Sequence, residues 1–322
     1  MTRILPLLLI VALILISCQK EINRLSKLNK GLQPQLSDYA IFKGALSNLE
    51  PSDDFFLYEL ATPLFTDYAE KQRLIKLPKG TVLKPSGNGL PDFPDGTILV
   101  KTFFYYKDKT NFSSGKKILE TRILLKEDSK WSVGTYVWNP EQNEAVLFES
   151  GLNETVNWID EQGKANVISY HIPNKNACIT CHQVSSKILP LGLKIRNLNI
   201  SVSRNNMQIN QLHYFQNSGL MDALDPSSYT TLPDWQDVNA SQEERSRAYL
   251  DVNCSHCHNS GGFASGSNLF MNYEVSTEET RILQRGAQII DEMEHKRMPR
   301  LGTSVIDKEG LELLKSYLRQ AK

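Results

Sequence analysis

The stretch from Ser241 to His258 reads Ser-Gln-Glu-Glu-Arg-Ser-Arg-Ala-Tyr-Leu-Asp-Val-Asn-Cys-Ser-His-Cys-His. Ser241 with Glu244 three positions on is a capping box, so a helix is predicted to run directly into Cys254-Ser-His-Cys-His258. The loop Gly261-Gly-Phe-Ala-Ser-Gly266 follows. It is too glycine-rich for a helix and can lie close against a flat ligand. A further helix is predicted from about Thr277 to Glu292, followed by Lys296-Arg-Met-Pro-Arg-Leu-Gly302. Leu311, Leu314 and Leu318 then fall on one face of a terminal amphipathic helix.

Cysteine spacing gives this frame its chemistry. The chain has five cysteines, and four of them form two pairs, Cys178-Ile-Thr-Cys181-His182 and Cys254-Ser-His-Cys257-His258. Both read C-x-x-C-H, the attachment pattern of c-type haem. Thiols three positions apart reach the two vinyl groups on one porphyrin edge, and the histidine that follows sits beneath the iron as an axial ligand. Three other readings compete: disulfides, one Cys₄ zinc site, and chance. A C-x-x-C disulfide leaves the following histidine without a purpose. A zinc site of the usual kind spaces its pairs by roughly 15–20 residues, whereas Cys181 and Cys254 lie 73 positions apart. Two covalently bound haem groups are therefore expected, held by Cys178, Cys181 and His182 and by Cys254, Cys257 and His258.

The order helix, C-x-x-C-H, loop, Met-Pro, helix resembles a class I cytochrome c domain over residues 241–322. The resemblance implies that His258 and Met298, 40 positions apart, are the axial ligands of the second iron, with Met293 and His295 the nearest rivals to Met298. Such ligation raises the potential. Arg297 and Arg300 flank that ligand and are candidates for haem propionates or an acidic partner. Around the first motif only His182 has a clear role. His171, Met207, His213 and Met221 are the candidates for its opposite side, and residues 207–221 are predicted to form a helix ending at Gly219.

The N-terminal half is written in strands. Ile98-Leu-Val-Lys-Thr-Phe-Phe-Tyr-Tyr106 is β-branched and aromatic, and Ile118-Leu-Glu-Thr-Arg-Ile-Leu-Leu125 alternates in part. Trp131–Trp138 and Ala145–Phe148 follow after short turns. Val156–Asp160 and Ala165–Tyr170 flank a hairpin turn at Glu161-Gln-Gly-Lys164. Many short strands with Gly, Pro and Asn turns suggest an antiparallel β-sandwich over residues 36–172. Trp131, Trp138 and Trp158 are expected in its core, with a sugar-stacking platform as the alternative. The whole chain is thus predicted to be multidomain α+β. The sandwich is followed by mostly α-helical c-type cytochrome domains, a first haem segment at 173–240 and the class I-like domain at 241–322.

The first residues look like an export leader. Leu7–Ile16 is apolar but shorter than the roughly 20 residues that span a bilayer, and it ends Leu15-Ile-Ser-Cys18. This resembles a bacterial lipobox, which implies a signal peptide at 1–17, lipidation of Cys18 and a polar tether over 18–35. Gln19 after the cysteine favours the outer membrane. Lys plus Arg equals Asp plus Glu at 36 each, so nothing in the net charge points to nucleic acid as a partner.

Five further motifs, Tyr58-Glu-Leu-Ala-Thr-Pro-Leu-Phe-Thr-Asp-Tyr-Ala-Glu-Lys71, Gly96-Thr-Ile-Leu-Val-Lys-Thr-Phe103, Tyr136-Val-Trp-Asn139, Ile172-Pro-Asn-Lys-Asn-Ala-Cys178 and Tyr249-Leu-Asp-Val-Asn-Cys254, accompany the haem signatures. Together they resemble a bacterial family of di-haem c-type cytochrome lipoproteins with an N-terminal β domain. The resemblance implies an exported haem protein of the cell envelope whose redox partners are unassigned. Electron transfer between an exported dehydrogenase and other cytochromes is the function expected. A di-haem peroxidase-type enzyme with a five-coordinate first haem is the alternative.

Overall fold

The computed structural model describes residues 31–320. The leader and Cys18 lie outside the described residues. Six strands form one antiparallel meander in sequence order: β1 (Phe56–Leu57), β2 (Glu70–Lys76), β3 (Ile98–Tyr106), β4 (Lys116–Glu127), β5 (Lys130–Trp138) and β6 (Ala145–Leu147). Alternation along these strands gives the sheet two different faces. Leu74, Val100, Ile123 and Tyr136 point to one side, where the irregular stretch Leu36–Phe55 covers them. Ile75, Leu99, Leu124 and Val133 point to the other, where Cys178, Ile195, Leu212 and Met221 cover them.

The predicted sandwich is not formed. The hairpin β7 (Leu152–Ile159) and β8 (Ala165–Ile172) forms its own two-stranded sheet, tied to the segment after β3 by the single bridge between Asp108 and Ile159. Its Val156, Trp158 and Tyr170 pack on Phe103 and Tyr105, so it caps one end of the sheet as a two-stranded flap. The rest of the second layer is loop and short helix. Trp131, Trp138 and Trp158 are all buried, as their β-strand positions predict.

The part after residue 172 is not mostly α-helical either. Helix α1 (Lys175–His182) is followed by two small hairpins, β9 (Gln183–Val184) with β10 (Lys187–Ile188) and β11 (Ser201–Arg204) with β12 (Met207–Asn210). The predicted helix over 207–221 is really strand β12 and then the short α2 (Gln211–Asn217), capped by Asn210. Asn205 and Asn206 both take positive φ. That is the left-handed turn a two-residue hairpin needs, and it commits Met207 onward to a strand.

Residues 241–320 carry the longer helices: α3 (Gln242–Asn253), α4 (Gly286–Glu294) and α5 (Lys308–Gln320). The Ser241 capping box forms as expected, with Ser241 Oγ accepting from Glu244 N and Glu244 Oε2 accepting from Ser241 N at 3.0 Å. Leu311, Leu314 and Leu318 of α5 are buried with Tyr249, Leu250, Ile289 and Ile290. Gly310 lets α5 approach α3, since a Cβ there would come within 2.3 Å of the Tyr249 ring. The helix predicted from Thr277 breaks at Arg281, which sits at φ 60 and closes a single turn Thr277–Thr280. Among the described residues no helix is long and apolar enough to cross a membrane.

Candidate functional site: two C-x-x-C-H motifs meeting at one seam

Asn174 starts α1 by accepting from Ala177 N at 2.8 Å. The helix then sets Cys178 and Cys181 one turn apart. Cys178 is packed against the sheet, with its Sγ 3.6 Å from Thr135 Oγ1. His182 ends the helix and is buried. Its Nδ1 lies 2.8 Å from the Leu189 carbonyl oxygen. A carbonyl only accepts, so Nδ1 carries the proton and Nε2 keeps its lone pair. Burial, the largest influence, pushes the imidazole down to about 3. His182 is therefore a neutral ring with a fixed tautomer and a free ligating nitrogen, the state a metal needs.

Helix α3 delivers the second motif in the same way. Asn253, its last residue, accepts from Phe65 N at 2.8 Å and donates to Tyr249 O at 3.0 Å. This ties the helix end to the N-terminal half. His258 Nδ1 lies 3.3 Å from Ser267 Oγ, and burial lowers its pKa. Gly262 folds the glycine loop tightly onto the motif, since a Cβ there would meet the Cys257 carbonyl oxygen at 2.4 Å.

The motifs touch. Cys181 and Cys257 line the same cavity, and the interaction of the two thiols is the first cause of a Cys181 pKa pushed up to about 12 and of a lowered pKa at Cys257. His256 stands beside Cys181, and its Nδ1 is buried with no hydrogen-bond partner. Ser185 N donates to Gly261 O at 2.8 Å, joining the segments that follow each motif. All four thiols are free, and Cys254 is raised by burial to about 12.

Two cavities flank this seam. The larger, about 430 Å³, is lined by Cys254, Cys257 and His258 with apolar walls from Leu269, Met271 and Ile289. That volume lies in the range of cofactor pockets. The smaller, about 80 Å³, is lined by Cys178, Cys181, His182, Lys101 and Arg122. Cys181, His256, Met293 and Met298 line both. The wall they share includes Met298, Pro299 and Leu301, in the loop between α4 and α5. Paired thiols, a following imidazole and an adjacent thioether make a donor set whose chemistry suits an iron porphyrin, and the larger cavity has the volume of a cofactor pocket, whereas the smaller, at about 80 Å³, does not hold a porphyrin as it stands. Among the described residues no group of three or more His, Cys, Asp or Glu side chains converges as a metal cage.

Met298 and Met293 therefore reach the site, but His295 does not: it is exposed and bonded to Asp291 O at 2.9 Å. Arg297 is engaged by Asp291 and Glu292, while Arg300 lines the larger cavity. None of the four candidates for the far side of the first motif lines either cavity. His171 sits on the outer hairpin with Asn153, Met207 and His213 are exposed, and Met221 is in the sheet core.

Residues missed by the sequence reading are His256 and a row of cations on the sheet. Arg73, Lys101 and Arg122 are direct cross-strand neighbours on β2, β3 and β4, and Arg122 faces Thr135 on β5. The signal was in the alternation Leu99-x-Lys101-x-Phe103, which places a lysine at a core-facing position. No family model matches the chain, and neither a curated protein nor a solved structure matches it.

Proposed function

We propose that this chain is a di-haem c-type cytochrome that passes electrons at the cell envelope, held to the outer membrane through lipidated Cys18. Exported dehydrogenases and other cytochromes are its proposed partners. Each haem, when bound, supplies a one-electron iron couple. The chain's residues fix where that couple sits. Cys178 with Cys181, and Cys254 with Cys257, would anchor the two porphyrins, and His182 and His258 offer the proximal nitrogens. The Leu189 carbonyl and Ser267 hydroxyl orient those rings. Met298 is the proposed second ligand at His258, and Leu269, Met271 and Ile289 keep water from that centre.

The observation that carries the reading is that Cys181 and Cys257, one from each motif, line the same cavity and interact. It makes the attachment points of two separate motifs neighbours, so haems held there would exchange electrons within one chain without docking. The resemblance to the di-haem lipoprotein family adds the envelope location and the partners. Reduced and oxidised optical spectra of protein purified from a strain that matures c-type haem test the proposal. Two low-spin centres inert to cyanide are expected. A first centre that is high-spin and binds cyanide would replace the relay with peroxidase-type chemistry.

A further inference from the structure

We propose that Lys101 and Arg122, backed by Arg73, form a binding site for a carboxylate group behind the first C-x-x-C-H motif. The three cations stand side by side across the sheet, in exact cross-strand register. Like charges placed directly opposite repel one another. Lys71 lies on the same face, its amine bonded to Leu64 O and Thr66 Oγ1 and its pKa pushed well below the usual lysine value, chiefly by burial.

Only one of these charges has its own buried counter-ion. Glu120, fully buried, accepts from Arg122 Nε at 2.8 Å and Nη2 at 2.5 Å. Arg73 is buried and its Nε has no partner. The acids nearest it are claimed elsewhere: Glu59 by Arg204 and Glu70 by Lys109 at 2.8 Å. Beyond the backbone pairing of its strand, the Lys101 side chain makes no hydrogen bond or ion pair among the described residues. Its side chain lines the cavity with Arg122, Cys178 and His182. The one carboxylate on that lining, Asp307, is bonded to Tyr249 and Gly310 N on the opposite wall.

Burial first, then Arg73 and Arg122 beside it, lower Lys101 to about 7, so an anion seated against it is what would hold its proton in place. Ammonium and guanidinium side by side suit a carboxylate, which accepts at both oxygens. Two sources share that chemistry: a propionate of the first haem, which rests on the reading above, and a small diffusible carboxylate, which does not.

The test uses holoprotein carrying Lys101→Met, with Lys101→Gln as a second variant of different packing and Lys79→Met as a surface control. Two readouts are taken: the propionate bending bands in the resonance Raman spectrum, and acetate binding by calorimetry. A shifted propionate band in the Lys101 variants assigns the site to the haem. Unshifted bands with acetate affinity reduced at least tenfold assign it to a diffusible carboxylate. If both readouts match wild type and the Lys79 variant, the site is refuted. A purified chain without porphyrin would refute the haem reading alone, and the acetate measurement would still decide the site.

Discussion

Replacing Glu120 with Gln removes one charge from the most enclosed ion pair among the described residues. Glu120 is fully buried and accepts from Arg122 Nε at 2.8 Å, from Arg122 Nη2 at 2.5 Å and from Tyr170 OH at 2.7 Å. Glutamine keeps one acceptor and turns its amide N–H₂ toward a donor. Arg122 is then a part-buried cation beside Arg73 and Lys101 with no carboxylate against it. Breaking a buried pair from one side costs about 3–5 kcal/mol, a large share of the roughly 5–15 kcal/mol that holds a domain together. At about 2–4 °C per kcal/mol for a chain portion of this size, the melting temperature of Glu120→Gln falls by roughly 10 °C. Differential scanning calorimetry of wild type and variant reads this directly. The triple variant Glu120→Leu, Arg122→Met, Tyr170→Phe removes every polar member together and is expected to recover most of the loss, since matched apolar replacement of a buried pair is often neutral. A Glu120→Gln protein melting within about 2 °C of wild type would refute the picture of a dry pair on the sheet.

Three further outcomes are expected. Ser241→Ala loses the cap of α3 and costs about 1 kcal/mol in urea unfolding, with the unfolding slope unchanged. Asp67 has its pKa raised above 3.8, chiefly by burial, although Ser304 N and Val305 N donate to it; a carboxyl raised in the folded state stabilises most below its unfolded pKa and loses that contribution as pH rises through the folded one. The stability difference between wild type and Asp67→Asn therefore shrinks with rising pH from about 4 upward, which urea titrations across that range would measure. On the haem-loaded protein, Met298→Ala lowers the potential of the second centre by on the order of 100 mV, whereas His295→Ala, His171→Ala, Met207→Ala and His213→Ala leave spectra and redox titration unchanged, because none of those four side chains lines a cavity.

How far the fold was legible depended on whether local chemistry or long-range packing decided each element. Strands β3 to β5 were readable because β-branched and aromatic residues alternate there, and α3 and α5 because a capping box and a leucine stripe are local signals. The number of layers was not readable. Alternation says that each strand has two faces, but not whether a second sheet or a set of loops covers one of them. Here Leu36–Phe55 covers one side and the first motif segment the other. Strand β12 was misread as helix because Asn205-Asn206 decides its start, and no periodicity marks a four-residue strand. The helix break at Arg281 has no glycine or proline to announce it.

The candidate site divides along the same line. The two C-x-x-C-H motifs were legible as motifs because their residues lie next to one another in the chain. The interaction of Cys181 with Cys257, and the cation row facing His182, arise from strand register and from the tie between Asn253 and Phe65. Those are long-range facts that a single sequence does not spell out. His256, hidden inside the second motif as a spacer residue, was overlooked for the same reason.

The central claim meets its most direct test in the intact mass of the exported protein, taken under denaturing conditions that strip every non-covalent ligand. Two porphyrin additions are predicted, falling to one when Cys178 and Cys181 are both changed to Ser, and likewise to one when Cys254 and Cys257 are. A wild-type mass matching the bare polypeptide, from cells that load c-type haem onto other proteins, would contradict the account.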